Sequence, residues 1–427
     1  MRILHIVKTS SGAAWAALEA AELARLGVDV HVAVPSAEGS SIRLWQDANA
    51  KIHVAALDFP ATSPWQLPSV CSRARALVAS VKPDMIHTHH VGPTLLMRQA
   101  LGKSHPTPRV FQVPGPLHLE HRLYRTWDLA CAGPRDFWIG PSRCIKNLYL
   151  RAGVASGKVF LSYYGFRPAG FGQARSNLLR RRLGIPPDAF VFGNISFIYA
   201  PKYYLGQRVG LKRHEDLIAA LAIVRRKRSD VIGVLAGGPW GRASRYQGRL
   251  RRLAETAGKG HILMPGHLPF SEVQEFWPDF DCAIHVPISE NCGGVVEPLL
   301  AGVPTIAGDV GGLPEVVIDG ITGLLVPIGN PEALAGAMLK VLADPERYRA
   351  MARLGGQLVK EIFDVRRTAR EVYEVYRHIL YGAKPPAEFD ARAFLADWDL
   401  ACRQPCLTAA GAFPADAPWT EGAHASR

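Results

Sequence analysis

From Arg2 onward the chain alternates between short apolar runs and longer amphipathic ones. Residues 2–7, "RILHIV", are nearly all apolar, the mark of a strand covered on both faces. The turn "KTSSG" follows, then "AAWAALEAAELARLG", an amphipathic segment that closes at Gly27 with a helix C-cap signal. "VDVHVAVP" reads as the next strand. The unit then returns: "CSRARALVASVKP" as a helix, "DMIHTHH" as a strand, and "RVFQVPG" and "FWIGPS" as further strands rich in β-branched and aromatic residues. Strands alternating with helices predict a parallel sheet with helices on both faces.

The rhythm breaks over residues 163–189, where glycine, proline and arginine replace it, and a linker is expected there. It restarts with "FVFGNIS", a long loop, the helix "KRHEDLIAALAIVRRKR", the strand "VIGVLAGG", the helix "RYQGRLRRLAETAG" and the strand "HILMPG". "EVQEFWPD", "CAIHVPIS", "PEVVIDG" and "GLLVP" continue it, and residues 331–379 read as C-terminal helices. The expected class is α/β, with two Rossmann-like doubly wound domains facing across a cleft, over residues 1–170 and 185–365. In such sheets ligands bind beyond the carboxyl ends of the strands. Residues 383–427 carry Pro, Ala and Gly with little periodicity and read as a peripheral or partly disordered tail.

Composition narrows this picture. A chain of 427 residues, 48% of them apolar, is long enough for two cores. The N-terminus lacks a signal-peptide layout and no run approaches the roughly 18 apolar residues of a membrane span, so a cytoplasmic location is expected. The seven cysteines lie scattered, with no C-x-x-C pair and no histidines at ligand spacing. Neither disulfides nor a metal is expected. Residues 1–170 hold 19 Lys and Arg against 10 Asp and Glu, which is +9 of the total +13. That balance favours anionic partners, phosphorylated substrates or an anionic lipid surface among them; nucleic acid is not expected, because no recognition motif accompanies the charge. A basic surface that serves only solubility is the plain alternative.

The stretch "SENCGGVVEPLLAGVPTIAG", Ser289 to Gly308, holds the densest candidate chemistry. Gly293 and Gly294 fall at a strand-to-helix turn, where backbone N–H groups and a helix N-terminus can approach an anion. Glu290 and Glu297 flank them. Acids in a first helical turn also satisfy the helix dipole without any ligand.

This stretch, with "AGVP" at 301–304, "GGLPE" at 311–315 and "GITGLLVP" at 320–327, resembles the family-4 glycosyltransferases of GT-B fold. Resemblance at lower strength runs over most of the chain. It implies a nucleoside diphosphate sugar as donor substrate, no further cofactor, and a glycan or lipid-linked acceptor. It also implies that the helix near 366–382 returns to the first domain. Glu297 would then hold ribose hydroxyls, and Glu290 would reach the transferred sugar as a catalytic group. The family has seven residues between these acids and this chain has six, so either the loop is one residue shorter or Ser289 takes the first place. Lys212, ahead of a helix, is similar to the family's lysine on the donor diphosphate. The family's arginine is not evident in "GNISFIYAPKYYLGQRVGLK", and Lys202 or Arg208 is the expected substitute.

In the first half, Gly12 of "KTSSGAAW" resembles the acceptor-side loop, and "DMIHTHH" resembles a strand-end motif in which His87 and His89 face ligand or core. Where the family has a histidine, this chain has Pro114, and His118 is the nearest replacement for contact with sugar or acceptor. The implied activity is retaining sugar transfer in cell-surface polysaccharide or glycoconjugate synthesis, with peripheral contact to the inner face of an anionic membrane. A non-catalytic nucleotide-sugar-binding partner and a nucleotide-sugar epimerase of the same fold are the alternatives.

Overall fold

The computed structural model describes residues 1–167, 174–203 and 206–402, and the chain forms two compact units. Unit 1 comprises residues 1–167 and 362–389; unit 2 comprises residues 168–361 and 390–427.

Unit 1 carries the strands β1 (Arg2–Ile6), β2 (Asp29–Val34), β3 (Lys51–Val54), β4 (Met85–Thr88), β5 (Arg109–Gln112), β6 (Asp136–Gly140) and β7 (Val159–Leu161). They form one parallel sheet in the order β3-β2-β1-β4-β5-β6-β7. Unit 2 carries β8 (Phe190–Ile195), β9 (Val231–Ala236), β10 (Ile262–Gly266), β11 (Cys282–His285), β12 (Thr305–Gly308) and β13 (Leu324–Val326). Its sheet is parallel in the order β10-β9-β8-β11-β12-β13. Both units are Rossmann-like: the strand order reverses between β1 and β4 in one and between β8 and β11 in the other. In open α/β sheets ligands bind beyond the carboxyl ends of the strands at such a reversal.

All six residues of β9 are buried, as expected of a strand with helices on both faces. In unit 1 the helix Ala14–Arg25 presents Ala16, Ala17, Ala20 and Leu23 to the same core cluster as Val372, Val375 and Tyr376 of the helix Val365–Tyr381. Small alanines let the two helices approach closely, so the late helix completes the core of the first unit.

Two segments differ from the sequence expectation. Residues 163–189 include an ordered helix, Leu178–Leu183, and Arg180 within it is buried against Asp281 at 2.5 Å. Arginine interrupted the apolar rhythm there because a carboxylate in the interior needs a cation, not because the chain is a free linker. Residues 383–402, read as aperiodic, include the helix Ala391–Cys402, whose first turn is capped by Asp390 accepting from the Arg392 and Ala393 amides. The Asp cap is the signal that the weak periodicity concealed. Residues 403–427 lie outside the described part.

One further piece of unit 1 is electrostatic. Asp136 of β6 accepts two bonds from the Arg109 guanidinium, at 2.8 and 2.9 Å, while Arg98 pairs with Asp128. All four side chains are buried, two cations against two carboxylates. Removing one member leaves an uncompensated charge in a low dielectric. Asp136→Ala is expected to destabilise unit 1 by about 3–5 kcal/mol, read from urea unfolding; a change below about 1 kcal/mol would mean that water reaches Arg109.

Candidate active site

The strand order of unit 2 reverses between the loops that follow β8 and β11. The first of these ends at Lys212, ahead of the helix His214–Arg225; the second runs from the end of β11 to the helix Gly293–Leu300. The two are laced together by a backbone bond from the Ile288 amide to the Leu211 carbonyl, 2.8 Å. This brings the Lys212 ammonium onto the Glu290 carboxylate across 78 residues of chain. The same Glu290 oxygen accepts from His285 Nε2 at 3.1 Å, and its other oxygen accepts from the Asn291 amide at 3.1 Å.

Two glycines make this geometry possible. Gly294 packs under the His285 ring, where an added Cβ would stand 2.1 Å from Nε2. Gly311 has φ +62°, and a Cβ there would meet the Glu290 carbonyl at 1.9 Å. No other residue fits either position without moving the loop. Gly293, by contrast, is exposed with open space beside it, so of the glycine pair only Gly294 is held by packing.

The charges follow from this arrangement. Burial alone would raise the Glu290 carboxyl, but Lys212 and His285 more than reverse it, and the group titrates well below its ordinary value. His285 is lowered by burial and then by Lys212, against the pull of Glu290, and is held neutral at pH 7. His214, packed behind, is pushed down to about 3 by burial, with Lys212 and His285 adding to the effect. The result is one cation and one carboxylate, flanked by neutral imidazoles. Glu297 stands on the helix Gly293–Leu300, half-buried, and one of its oxygens accepts from Trp277 Nε1 at 2.9 Å. Burial raises its carboxyl and the indole bond lowers it in part.

Sequence reasoning missed His285 and Trp277. His285 is the last residue of β11, the strand end at which ligands gather, and this place was its one signal. Trp277 sits in a short 3-10 turn and gives no signal in the sequence. Lys202 and Arg208 lie on the loop after β8, half-buried and exposed respectively, and among the described residues neither pairs with Glu290 or Glu297.

Unit 1 places three of the candidate histidines in its interior. His87 and His89 are fully buried. His87 Nδ1 meets the Tyr376 hydroxyl at 2.5 Å, and His89 Nε2 meets His5 Nδ1 at 2.9 Å. The two share a face because residues two apart in a strand do, and that face is covered by the helices Ala14–Arg25 and Val365–Tyr381. His5, His87 and His89 place ring nitrogens within 4.8 Å of one another, a metal-like spacing. His5 Nδ1, His87 Nδ1 and His89 Nε2 are bonded within the cluster or to Tyr376, His5 Nε2 and His87 Nε2 are buried without a partner among the described residues, and burial holds His5 down at about 3. His118 is also buried, with Nε2 at 3.1 Å from the Tyr149 hydroxyl and 3.9 Å from Asp128. All three imidazoles are buried and hydrogen-bonded within unit 1. Gly12 is half-buried in the loop after β1, its carbonyl taken by the Ser41 hydroxyl.

Because the Glu290 carboxyl is depressed in the folded state, its stabilising contribution is present above the unfolded value and drains away as pH falls through the folded one. The stability gap between the protein and Glu290→Gln is therefore expected to shrink between about pH 6 and pH 3. Urea unfolding at each pH measures it, and a gap independent of pH would contradict the ion pair.

Residues 12–168 match the family model for glycosyltransferase family 4, and residues 202–356 match that for glycosyl transferases group 1. A D-inositol 3-phosphate glycosyltransferase of Streptomyces bingchenggensis is 29% identical over 51% of this chain and 46% of its own length. A GDP-mannose-dependent alpha-(1-6)-phosphatidylinositol monomannoside mannosyltransferase of Mycolicibacterium smegmatis is 30% identical over 39% of this chain and 48% of its own. The chain thus spans about half the length of the curated relatives it matches. HepE of Anabaena, solved in complex with UDP and glucose, has the same fold, with TM-score 0.71 and 20% identity over 88% of this chain and 99% of that one. Two Rossmann-like sheets and a matching family model for each half show that the chain belongs to the family-4 glycosyltransferases of GT-B fold.

Proposed function

We propose that the protein is a retaining glycosyltransferase, moving a sugar from a nucleoside diphosphate sugar to a glycan or lipid-linked acceptor in cell-surface polysaccharide or glycoconjugate synthesis. The observation that carries this is the convergence of Lys212, Glu290 and His285 where the strand order of unit 2 reverses. Breaking a glycosidic bond to a diphosphate places negative charge on the leaving oxygens and positive charge on the anomeric carbon. Lys212 supplies the cation for the first and the ionised Glu290 the anion for the second. The reading gives charge stabilisation to this lysine, without a metal. In this reading Glu297, which accepts from Trp277, takes the ribose hydroxyls. The relatives named for glycosyl transfer and the fold neighbour solved with UDP and glucose support this class of donor. The same reading puts the protein peripherally on the inner face of an anionic membrane, where a lipid-linked acceptor would lie.

A thermal-shift screen of nucleotide sugars identifies the donor, since a ligand that binds only the folded state raises its melting temperature. Release of free nucleoside diphosphate on adding acceptor then separates a transferase from a binding partner. Lys212→Ala is expected to lower turnover by roughly 10²-fold while nucleoside affinity barely changes, because the cation matters most as the bond breaks. Turnover within threefold of the unaltered protein would move the diphosphate site elsewhere on the loop. Glu297→Ala is expected to weaken nucleotide-sugar binding by about 1.5–3 kcal/mol, the scale of bonds to a charged acceptor; calorimetric titration with unchanged affinity would remove Glu297 from the ribose.

A further inference from the structure

The strands β1 and β4 run side by side in unit 1 and set His5 opposite His87 in register. His89, two residues on from His87, falls on the same face. The rings pack together there, with centroids 5.2 Å apart between His5 and each of the others and 4.1 Å apart between His87 and His89. One nitrogen of each ring lies within 4.8 Å of the others, and all three side chains are fully buried. The helix Ala14–Arg25 brings Glu19 onto this cluster, equally buried, with Oε1 4.0 Å from His87 Nδ1. His5 stands 84 residues from His89 in the chain, so spacing along the sequence does not reveal the group.

Hydrogen bonding within the protein leaves this cluster incomplete. His5 Nδ1 meets His89 Nε2 and His87 Nδ1 meets the Tyr376 hydroxyl, but His5 Nε2, His87 Nε2 and both Glu19 oxygens have no partner among the described residues. Each such atom forgoes the bonds it makes to water, and four on adjacent side chains are rare in a folded core. Burial disfavours the protonated ring in all three histidines, and a neutral imidazole presents a lone pair. The cluster therefore offers lone pairs and a carboxyl but no cation. Buried groups of this kind are stabilised when they coordinate a metal. We propose that His5, His87 and His89 form a zinc site in the interior of unit 1, with Glu19 supplying the fourth group and the opposing charge. Imidazole nitrogen and carboxylate oxygen are ordinary zinc ligands, and bonds of about 2.0–2.2 Å set neighbouring ligand atoms about 3.4 Å apart in a tetrahedron. Nitrogens within 4.8 Å of one another reach that spacing by moving less than about 1 Å each. On loading, coordination replaces the His5–His89 hydrogen bond, any proton on Glu19 passes to solvent, and the site keeps one net positive charge. With every ligand buried, no coordination position opens to a substrate. The metal is a clamp that ties β1 and β4 to the helix Ala14–Arg25, and Tyr376 joins the helix Val365–Tyr381 to the same point. None of this rests on the transfer reading, which concerns unit 2.

Because its ligands lie in the core, the metal enters as the chain folds. The test therefore unfolds the full chain in urea with a chelator and refolds it with zinc, with cobalt or with the chelator alone. The zinc-refolded protein is expected to keep about one zinc per chain through gel filtration, counted by plasma mass spectrometry, and to unfold at higher urea than the chelated protein. Cobalt is expected to give the strong visible absorption of a tetrahedral site. His89→Gln is expected to lower the retained zinc below about 0.2 per chain and to abolish the gain in urea midpoint. His53→Ala, which opens the separate His31–His53 pair, is expected to leave both unchanged. Should His89→Gln fail to fold, the zinc count and cobalt spectrum of the unaltered chain decide. Zinc at background in the unaltered protein, or cobalt without tetrahedral bands, would overturn the proposal. So would a full equivalent of zinc kept by folded His89→Gln, or a count that falls only with His53→Ala.

Discussion

The pairing of Lys212 with Glu290 is the interaction on which the site of unit 2 depends. It joins two loops that leave neighbouring strands at the point where the strand order turns back, and it is possible only because each loop is pinned by its surroundings. The Ile288 amide holds one loop to the other, Gly311 lets a later loop close against Glu290, and Gly294 gives room to His285. A charge pair so fixed is preorganised: its cation and anion need little reorientation when charge develops nearby, and the shielded surroundings strengthen both.

The two units treat ionisable groups in opposite ways. In unit 2 a carboxylate is driven below its ordinary range by a cation placed on it. In unit 1 the histidine cluster has no such partner, and burial leaves its rings neutral; Glu19, fully buried beside it, is pushed up to about 8. Desolvation without a counter-charge removes charge, whereas desolvation with one keeps it. Imidazoles at the strand ends of one unit are thus buried and neutral, while the imidazole at the end of β11 tunes an acid. The charges that unit 1 does keep inside, Arg98 and Arg109 with Asp128 and Asp136, are matched two against two.

The helix Arg122–Ala130 carries both kinds of contact inward: Asp128 pairs with Arg98, and Leu129 packs against the cluster of Phe111, Trp138 and Tyr149. An interior ion pair and an apolar contact thus hold the same helix to unit 1.

The sequence by itself determined the alternation of strands and helices and the two-unit division, because residue periodicity reports directly on which faces are covered, and the family through the glycine-rich motifs that resemble it. Glu290 and Lys212 stood out as candidates because each lies on a strand-to-helix loop, Glu297 because it follows on the helix after it, and the glycines around "SENCGG" and "GGLPE" mark backbone that must approach closely. What only the tertiary structure decided is who meets whom. Lys212 and Glu290 are far apart in sequence, Trp277 reaches Glu297 from a short 3-10 turn, and His87 and His89 look alike in sequence whether they face solvent or the helix Val365–Tyr381. Periodicity is local, whereas the charge state and accessibility of a side chain depend on segments that arrive from elsewhere in the chain, and the packing of those segments fixes both.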